Sequence, residues 1–434
     1  MKLTANSSFL IGLFLLLRAT AVFAQGDHNK WFTGRRLRLD ITFEGNADEC
    51  SVTGILFAKE PLMGGAPESL IDTFRYGEMI VEARDSVSGK LIFSRGFSTL
   101  FQEWQTTDRA KENTRKFTEI QAIPFPGNTL RIDLLQRKGI HFVPLNTTYF
   151  NPSFTAYRNS MPPKEVETNL FRSAADSLYA MNLVFLSEGY TPEEQTQFYE
   201  HVDALVTSML QTEPYAELKD YLNVYTVYLP SRESGADDPS NNRIVATALD
   251  CSFNTFGSER YLTSSRPQKI FDLASGTPWD QLIVLVNTEK YGGGAIYNSC
   301  TFVSAGSEHA GFLLLHEFAH AFAALADEYY TSSVAYSDYF DLNTEPYQPN
   351  ITTLVDFSHK WANLIHDTVP VPTPDTSLYD GVVGVYEGAG YSAKGIYRPC
   401  RTCIMKSRST KYFCPVCRKS IAEMLRFRAG VPLK

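Results

Sequence analysis

The sequence predicts an α+β chain in two parts, an N-terminal β-sandwich over residues 25–140 and a catalytic-type domain over 177–434. Three observations carry that prediction. Between Trp31 and about Gln136, short period-two segments recur between turn residues, the pattern of a two-sheet antiparallel domain. From Asn182 onward, apolar runs suited to buried strands alternate with a segment of helical period. Between them, residues 141–176 are rich in Pro, Asn, Thr and Ser without a sustained period, and read as a surface linker.

In the first part, Leu37 to Phe43 and Glu78 to Arg84 alternate in polarity, and Lys90 to Phe97, Lys116 to Ala122 and Thr129 to Leu135 are further strands. No catalytic constellation stands out there, so a packing or substrate-presenting role is expected. In the second part, Asn182 to Ser187, Leu222 to Leu229 and Gln281 to Val286 read as strands. Thr191-Pro192-Glu193-Glu194 is a helix start, with Thr as cap, Pro in first position and Glu three residues after the cap. Phe198, Val202, Leu205 and Met209 then share one helical face. Tyr291-Gly292-Gly293-Gly294 and the residues to Ser304 read as a loop and an edge strand, and such an edge can pair with an extended peptide.

Residues 1–24 read as a signal peptide: Lys2, an apolar run from Phe9 to Leu17, then small residues at Val22 and Ala24 before Gln25. The chain is therefore expected to be exported, secreted or periplasmic. No later apolar run is long enough to span a bilayer, so no stable membrane insertion is expected. A formal charge of −8 gives no electrostatic footprint for nucleic acid.

Ser307 to Tyr330, S-E-H-A-G-F-L-L-L-H-E-F-A-H-A-F-A-A-L-A-D-E-Y-Y, carries the chemistry. Ser307 and Glu308 suit a helix N-terminus. Apolar residues surround the helix, so it is buried, and titratable groups inside it need partners. Four residues advance a helix by ~6 Å and slightly more than one turn, so His316 and His320 project from one face and can reach one zinc at ~2.0–2.1 Å. Glu317 lies beside them as general base. A catalytic zinc needs a third protein ligand, with Asp327 and Glu328 nearest. On an unbroken helix Asp327 would lie ~10 Å beyond His320. The chain must leave the helix between them, yet 321–326 contains neither Gly nor Pro. His359 and His366 stand as alternatives.

Near the C-terminus, Met405 is the candidate for a methionine turn beneath the metal. Cys400, Cys403, Cys414 and Cys417 form two Cys-x-x-Cys pairs. They can make disulfides or hold a structural zinc, and export favours disulfides. One catalytic Zn²⁺ is expected, with a second, structural one the less favoured reading. An oxyanion-stabilising tyrosine is sought among Tyr391, Tyr397 and Tyr412. The acidic loop Glu233 to Asp238 reads as solvated.

H-E-F-A-H-A-F-A-A-L-A-D-E-Y-Y, with L-D-C-S-F at Leu249 to Phe253, Y-R-P at Tyr397 to Pro399 and C-I-M at Cys403 to Met405, resembles the IgA-peptidase family of bacterial zinc metallopeptidases. The resemblance covers the mature chain. It implies a metzincin-like catalytic domain with His316, His320 and Asp327 as zinc ligands, Glu317 as catalytic base and Met405 in the methionine turn. Ala319 and Ala324 stand where family members typically carry glycine, and alanine at the second lacks the conformational freedom of the glycine best suited to a left-handed exit from the helix. Cleavage of immunoglobulin does not transfer on the motif alone. The expected function is zinc-dependent hydrolysis of peptide bonds in a protein or peptide substrate. The rivals are a zinc amidase acting on cell-wall peptides and a non-catalytic binding protein that keeps the fold.

Overall fold

A computed structural model describes residues 28–175, 179–330 and 340–431; the segment 1–24 lies outside them. The chain is a mixture of α and β, mostly sheet with few helices. No helix among the described residues is long and apolar enough to cross a membrane.

After one turn, α1 (His28–Trp31), come strands β1 (Phe32–Gly45), β2 (Cys50–Glu60), β3 (Met79–Asp85) and β4 (Leu91–Phe97). Two short helices, α2 (Leu100–Gln105) and α3 (Asp108–Glu112), precede β5 (Arg115–Pro126), β6 (Leu130–Lys138), β7 (His141–Phe150) and β8 (Arg158–Asn159). They form two four-stranded sheets, ordered β5-β1-β2-β8 and β4-β3-β6-β7. Alternation along β1 sends Leu37, Leu39, Ile41 and Phe43 to one side, fully buried in a core shared with Val81, Ile132 and Leu134 of the second sheet. Each such side chain contributes about 1.5–3 kcal/mol.

The opposite face of β1 is buried as well, but charged. Arg36 meets Glu60 at 2.8 Å and Arg38 meets Asp40 at 2.7 Å and Asp272 at 2.8 Å. Arg36 Nη2 also donates to the Trp279 carbonyl at 2.6 Å. Buried charges persist only when paired, so this network reads as the seam on which the second part of the chain docks.

Residues 141–176 are not a linker. β7 pairs antiparallel with β6 along its length, and β9 (Glu167–Arg172) is an edge strand of the six-stranded sheet in the C-terminal part. β7 is mostly exposed. Only Phe150 at its end is fully buried, with Leu145 packed partly against the same core, so alternation is weak, but Phe142, Val143, Thr147, Thr148 and Tyr149 carry the β-branched and aromatic preference for extended backbone.

In β5, Glu119 is buried and accepts the Phe101 amide at 3.2 Å. Burial pushes its carboxyl up to about 8, against the pull of the Phe101 and Leu100 amides. Its folded pKa thus exceeds the unfolded one, and between them the folded state holds the extra proton. Stability is expected to fall as pH rises from about 4.5 to 8. Glu119→Gln should flatten that decline in melts across the window; an unchanged slope would sink the assignment.

The six-stranded sheet of the C-terminal part runs β15-β16-β14-β10-β11-β9. β10 (Met181–Glu188), β11 (Leu222–Tyr228), β14 (Gln281–Val286) and β16 (Cys300–Ser304) are parallel; β9 and β15 (Gly293–Ala295) are antiparallel edges. Strands β10, β14 and β16 are buried throughout, which is why they read as apolar runs. One face is covered by α4 (Gln195–Leu210), a short α5 (Tyr215–Leu218), α7 (Ala310–Ala323) and α8 (Pro415–Ala429). The other face packs α6 (Pro267–Ala274). Thr191 N donates to Glu194 Oε2 at 2.8 Å, the reciprocal half of the expected capping box before α4. A two-residue pair, β12 (Cys251–Ser252) and β13 (Thr263–Ser264), opens and closes the loop over the sheet's end. Buried Glu188 at the end of β10 fixes its base, accepting the Leu249 and Cys251 amides at 2.7 and 2.8 Å. The last hairpin is β17 (Tyr386–Ala389) and β18 (Ser392–Arg398).

Candidate active site

α7 is the buried helix its composition demands. Leu313, Leu314, Leu315, Phe318 and Phe322 all lie in the core, and Phe318 stacks on Phe322 at 5.1 Å. Ser307 Oγ accepts the His309 amide at 3.3 Å, capping the turn that leads into the helix. Its polar face opens on a cleft of about 740 Å³, lined among others by His316, Glu317, His320 and Asp327.

The helix ends at Ala323, and Ala324 turns it out in the left-handed conformation, φ +53°. The Ala324 and Leu325 amides close on the carbonyls of His320 and Ala319. Asn350 then holds the departing chain: its side chain accepts the Ala326 amide at 2.7 Å and donates to the Ala326 carbonyl at 2.9 Å. Asp327 is thereby folded back onto the helix, its Oδ1 at 3.0 Å from His316 Nε2 and 3.3 Å from His320 Nε2. The missing glycine is replaced by strain. Alanine in this region costs ~1–2 kcal/mol, and glycine has higher entropy in the unfolded chain. Ala324→Gly is expected to stabilise the protein by up to about 1 kcal/mol. Denaturant unfolding checks this, and a loss of stability would show that the methyl group packs usefully.

Each imidazole is oriented by its other nitrogen. His316 Nδ1 faces the Ile404 carbonyl at 3.2 Å and His320 Nδ1 the Leu325 carbonyl at 2.5 Å. With Nδ1 donating, both Nε2 atoms turn inward as bases. They stand 3.2 Å apart. Asp327 Oδ1 is buried and has no donor within hydrogen-bonding geometry. Burial would raise this carboxyl, but His320 and His316 hold it well below the usual carboxylate range. His320 is in turn pushed up to about 9, Asp327 and neighbouring groups outweighing burial. Two imidazole nitrogens and a carboxylate oxygen converging this closely require a proton or a cation among them, and the donor set fits zinc.

Tyr391 steadies the third group. It sits with Gly390 in a two-residue hairpin turn, both at positive φ, a strained position for a bulky residue. Its hydroxyl donates to Asp327 Oδ2, and the Gly390 amide donates to the Asp327 carbonyl at 2.9 Å. Tyr397 instead pairs its backbone with Thr352, and Tyr412 is exposed and bonded to Thr402. His359 and His366 are exposed on loops, paired with Asp356 and Thr368.

Glu317 faces the cleft, half-buried. Burial raises its carboxyl above the ordinary range, opposed by His316 and His320. Gly293 makes room for it, since a Cβ there would stand 2.9 Å from Glu317 Cγ. The edge of β15 is already occupied at that residue, the Gly293 amide and carbonyl bonding to Arg260 and Leu262. The N-terminal unit supplies part of the cleft wall through Glu78, Gln102, Glu103 and Arg137.

Met405 is fully buried in a tight turn, with the Lys406 amide bonded to the Cys403 carbonyl at 3.0 Å. The Met405 carbonyl takes the Glu328 amide at 2.9 Å. The turn therefore touches both His316 and the segment bearing Asp327. The expected disulfides are not formed, and all seven cysteines are free. Cys403, Cys414 and Cys417 gather with Glu328 around one point instead of approaching in bonded pairs. Asn350 is not marked by the sequence, and the place of Glu328 beside the cysteines is not either. Glu328 ranked only as an alternative to Asp327.

The model of a family described as IgA Peptidase M64 matches residues 170–379 and 375–425, and one described as Peptidase M64 N-terminus matches residues 27–143. No curated protein matches the chain.

Proposed function

The chain belongs to the IgA peptidase M64 family, and from that premise we propose that it is an exported zinc metallo-endopeptidase. The carrying observation is that His316 Nε2, His320 Nε2 and Asp327 Oδ1 lie within 3.3 Å of one another, beside Glu317 in one cleft. On this reading the N-terminal unit is a β-sandwich and the C-terminal one metzincin-like, with Met405 in the methionine turn.

Zinc held by His316, His320 and Asp327 would polarise a scissile carbonyl and lower the pKa of a water. The carboxylate of Glu317 takes the proton from the attacking water and returns it to the leaving amine nitrogen. A carboxyl raised by burial suits both halves of that shuttle. The Ile404 and Leu325 carbonyls hold the imidazoles in the tautomer that leaves Nε2 free, and the Tyr391 hydroxyl fixes the Asp327 carboxylate. The cleft, walled by both parts of the chain, is of a size for an extended peptide segment.

The test is hydrolysis of an unfolded protein and of a cell-wall muropeptide, before and after chelation. Protein cleavage lost on chelation and restored by zinc supports the reading. Cleavage of the muropeptide alone would favour the amidase, and protein hydrolysis by zinc-free protein would end the metallopeptidase reading.

A further inference from the structure

The structure assigns a second zinc site, built from Cys403, Cys414, Cys417 and Glu328 and distinct from the one at His316. The three thiols and the Glu328 carboxylate all lie within 4.8 Å of one another, and all four residues are buried. Tetrahedral ligands at ~2.3 Å from a zinc stand ~3.8 Å apart. Disulfide sulfurs would stand ~2.05 Å apart, and these cysteines are free.

The surroundings are those of a ligand set. Cys417 Sγ is 3.1 Å from Glu328 Oε1, and the Cys414 amide donates to Cys403 Sγ at 3.3 Å. That donation suits a sulfur carrying negative charge. Cys414 caps α8 with Pro415 at its first position, so Cys414 and Cys417 sit at the positive end of a 15-residue helix, which favours thiolates. Asn350 Nδ2 holds Glu328 Oε1 at 3.0 Å, while Glu328 Oε2 is buried without a partner. An unpartnered carboxylate oxygen beside three thiols is a costly arrangement in an apolar core, and a divalent cation resolves it. Cys400 borders the set: its thiol contacts Cys414 and is directed at the Val382 carbonyl at 3.7 Å, but it is not among the four residues whose ligand atoms all lie within 4.8 Å of one another.

The position gives the ion a purpose. Consecutive residues of an extended segment face opposite sides. Asp327 turns to the histidines and Glu328 to the thiols. Cys403 lies two residues before Met405 in the turn whose Ile404 carbonyl orients His316. One ion would tie the start of α8, this turn and the segment bearing Asp327, linking positions 328, 403 and 414–417 that the chain leaves far apart.

The experiment is zinc content and zinc-edge X-ray absorption on the full chain. Wild type is expected to hold about two zinc ions, and a His316→Ala, His320→Ala double variant about one, with a sulfur-dominated shell at ~2.3 Å. Cys417→Ser and Glu328→Gln should each lose that ion. Should those variants fail to fold, the double variant decides alone, because any zinc it binds through sulfur comes from this site. A double variant without zinc, or an intact mass showing bridged cysteines, would overturn the assignment. Loss of the ion in Cys400→Ser with retention in Glu328→Gln would overturn the ligand set.

Discussion

Glu317→Gln is expected to lower kcat by about 10²–10⁴-fold while zinc content stays at the wild-type level. The amide keeps the shape of the carboxylate, so the close packing against Gly293 is undisturbed. It also leaves His316, His320 and Asp327 untouched, since Glu317 is not among the converging atoms. What it removes is a site that accepts a proton from water and hands it to a departing amine. KM should change little, because the interaction lost belongs to the transition state. Steady-state kinetics with elemental analysis on the same preparation decides the matter. A variant of wild-type kcat would take the general base away from Glu317, and one that had also lost zinc would make the residue a structural member of the site.

Asp327→Ala is expected to empty the His316 site and leave hydrolysis near background. An outer-shell partner costs ~10–100-fold in metal affinity when removed, and a direct ligand costs more. Alanine also takes away the acceptor of the Tyr391 hydroxyl, so the strained turn at Gly390 and Tyr391 loses its anchor. The two histidines alone offer too few donors to retain zinc against a mild chelator. His359→Ala and His366→Ala should retain both metal and activity, as both side chains are exposed and neither is among the converging groups. Retention of zinc and activity in Asp327→Ala would remove the residue from the ligand set. Failure in His359→Ala with survival of Asp327→Ala would transfer the third position.

These expectations differ in how much of them was legible in advance. The two histidines and Glu317 follow from spacing on one buried helix, a local matter that periodicity reports directly. The same holds for the buried strands at Asn182, Leu222 and Gln281 and for the helix start at Thr191. β7 was not legible, because an edge strand that is mostly exposed and fully buries only its last residue, Phe150, has little alternation to show. The left-handed exit at Ala324 was not legible either. Local preference argues against alanine there, and the conformation is imposed by contacts made elsewhere, chiefly the grip of Asn350 on the chain at Ala326.

The cysteines show the same divide. The expectation of export, with the spacing, favours bridges, but spacing along the chain says nothing about which sulfurs meet. Cys403 reaches Cys414 and Cys417 because the turn at Met405 and the start of α8 are brought together under α7, and Glu328 joins them through the fold-back that also places Asp327. The sequence by itself determined the helix, its histidine pair, the neighbouring carboxylate and the alternation of elements around them, because these depend on residues within a few turns of one another. Only the tertiary structure decided the meeting of Asp327 with the two histidines, the tyrosine that steadies it and the gathering of thiols behind it. Each depends on chain segments tens of residues apart, and their meeting is set by the packing of the whole sheet.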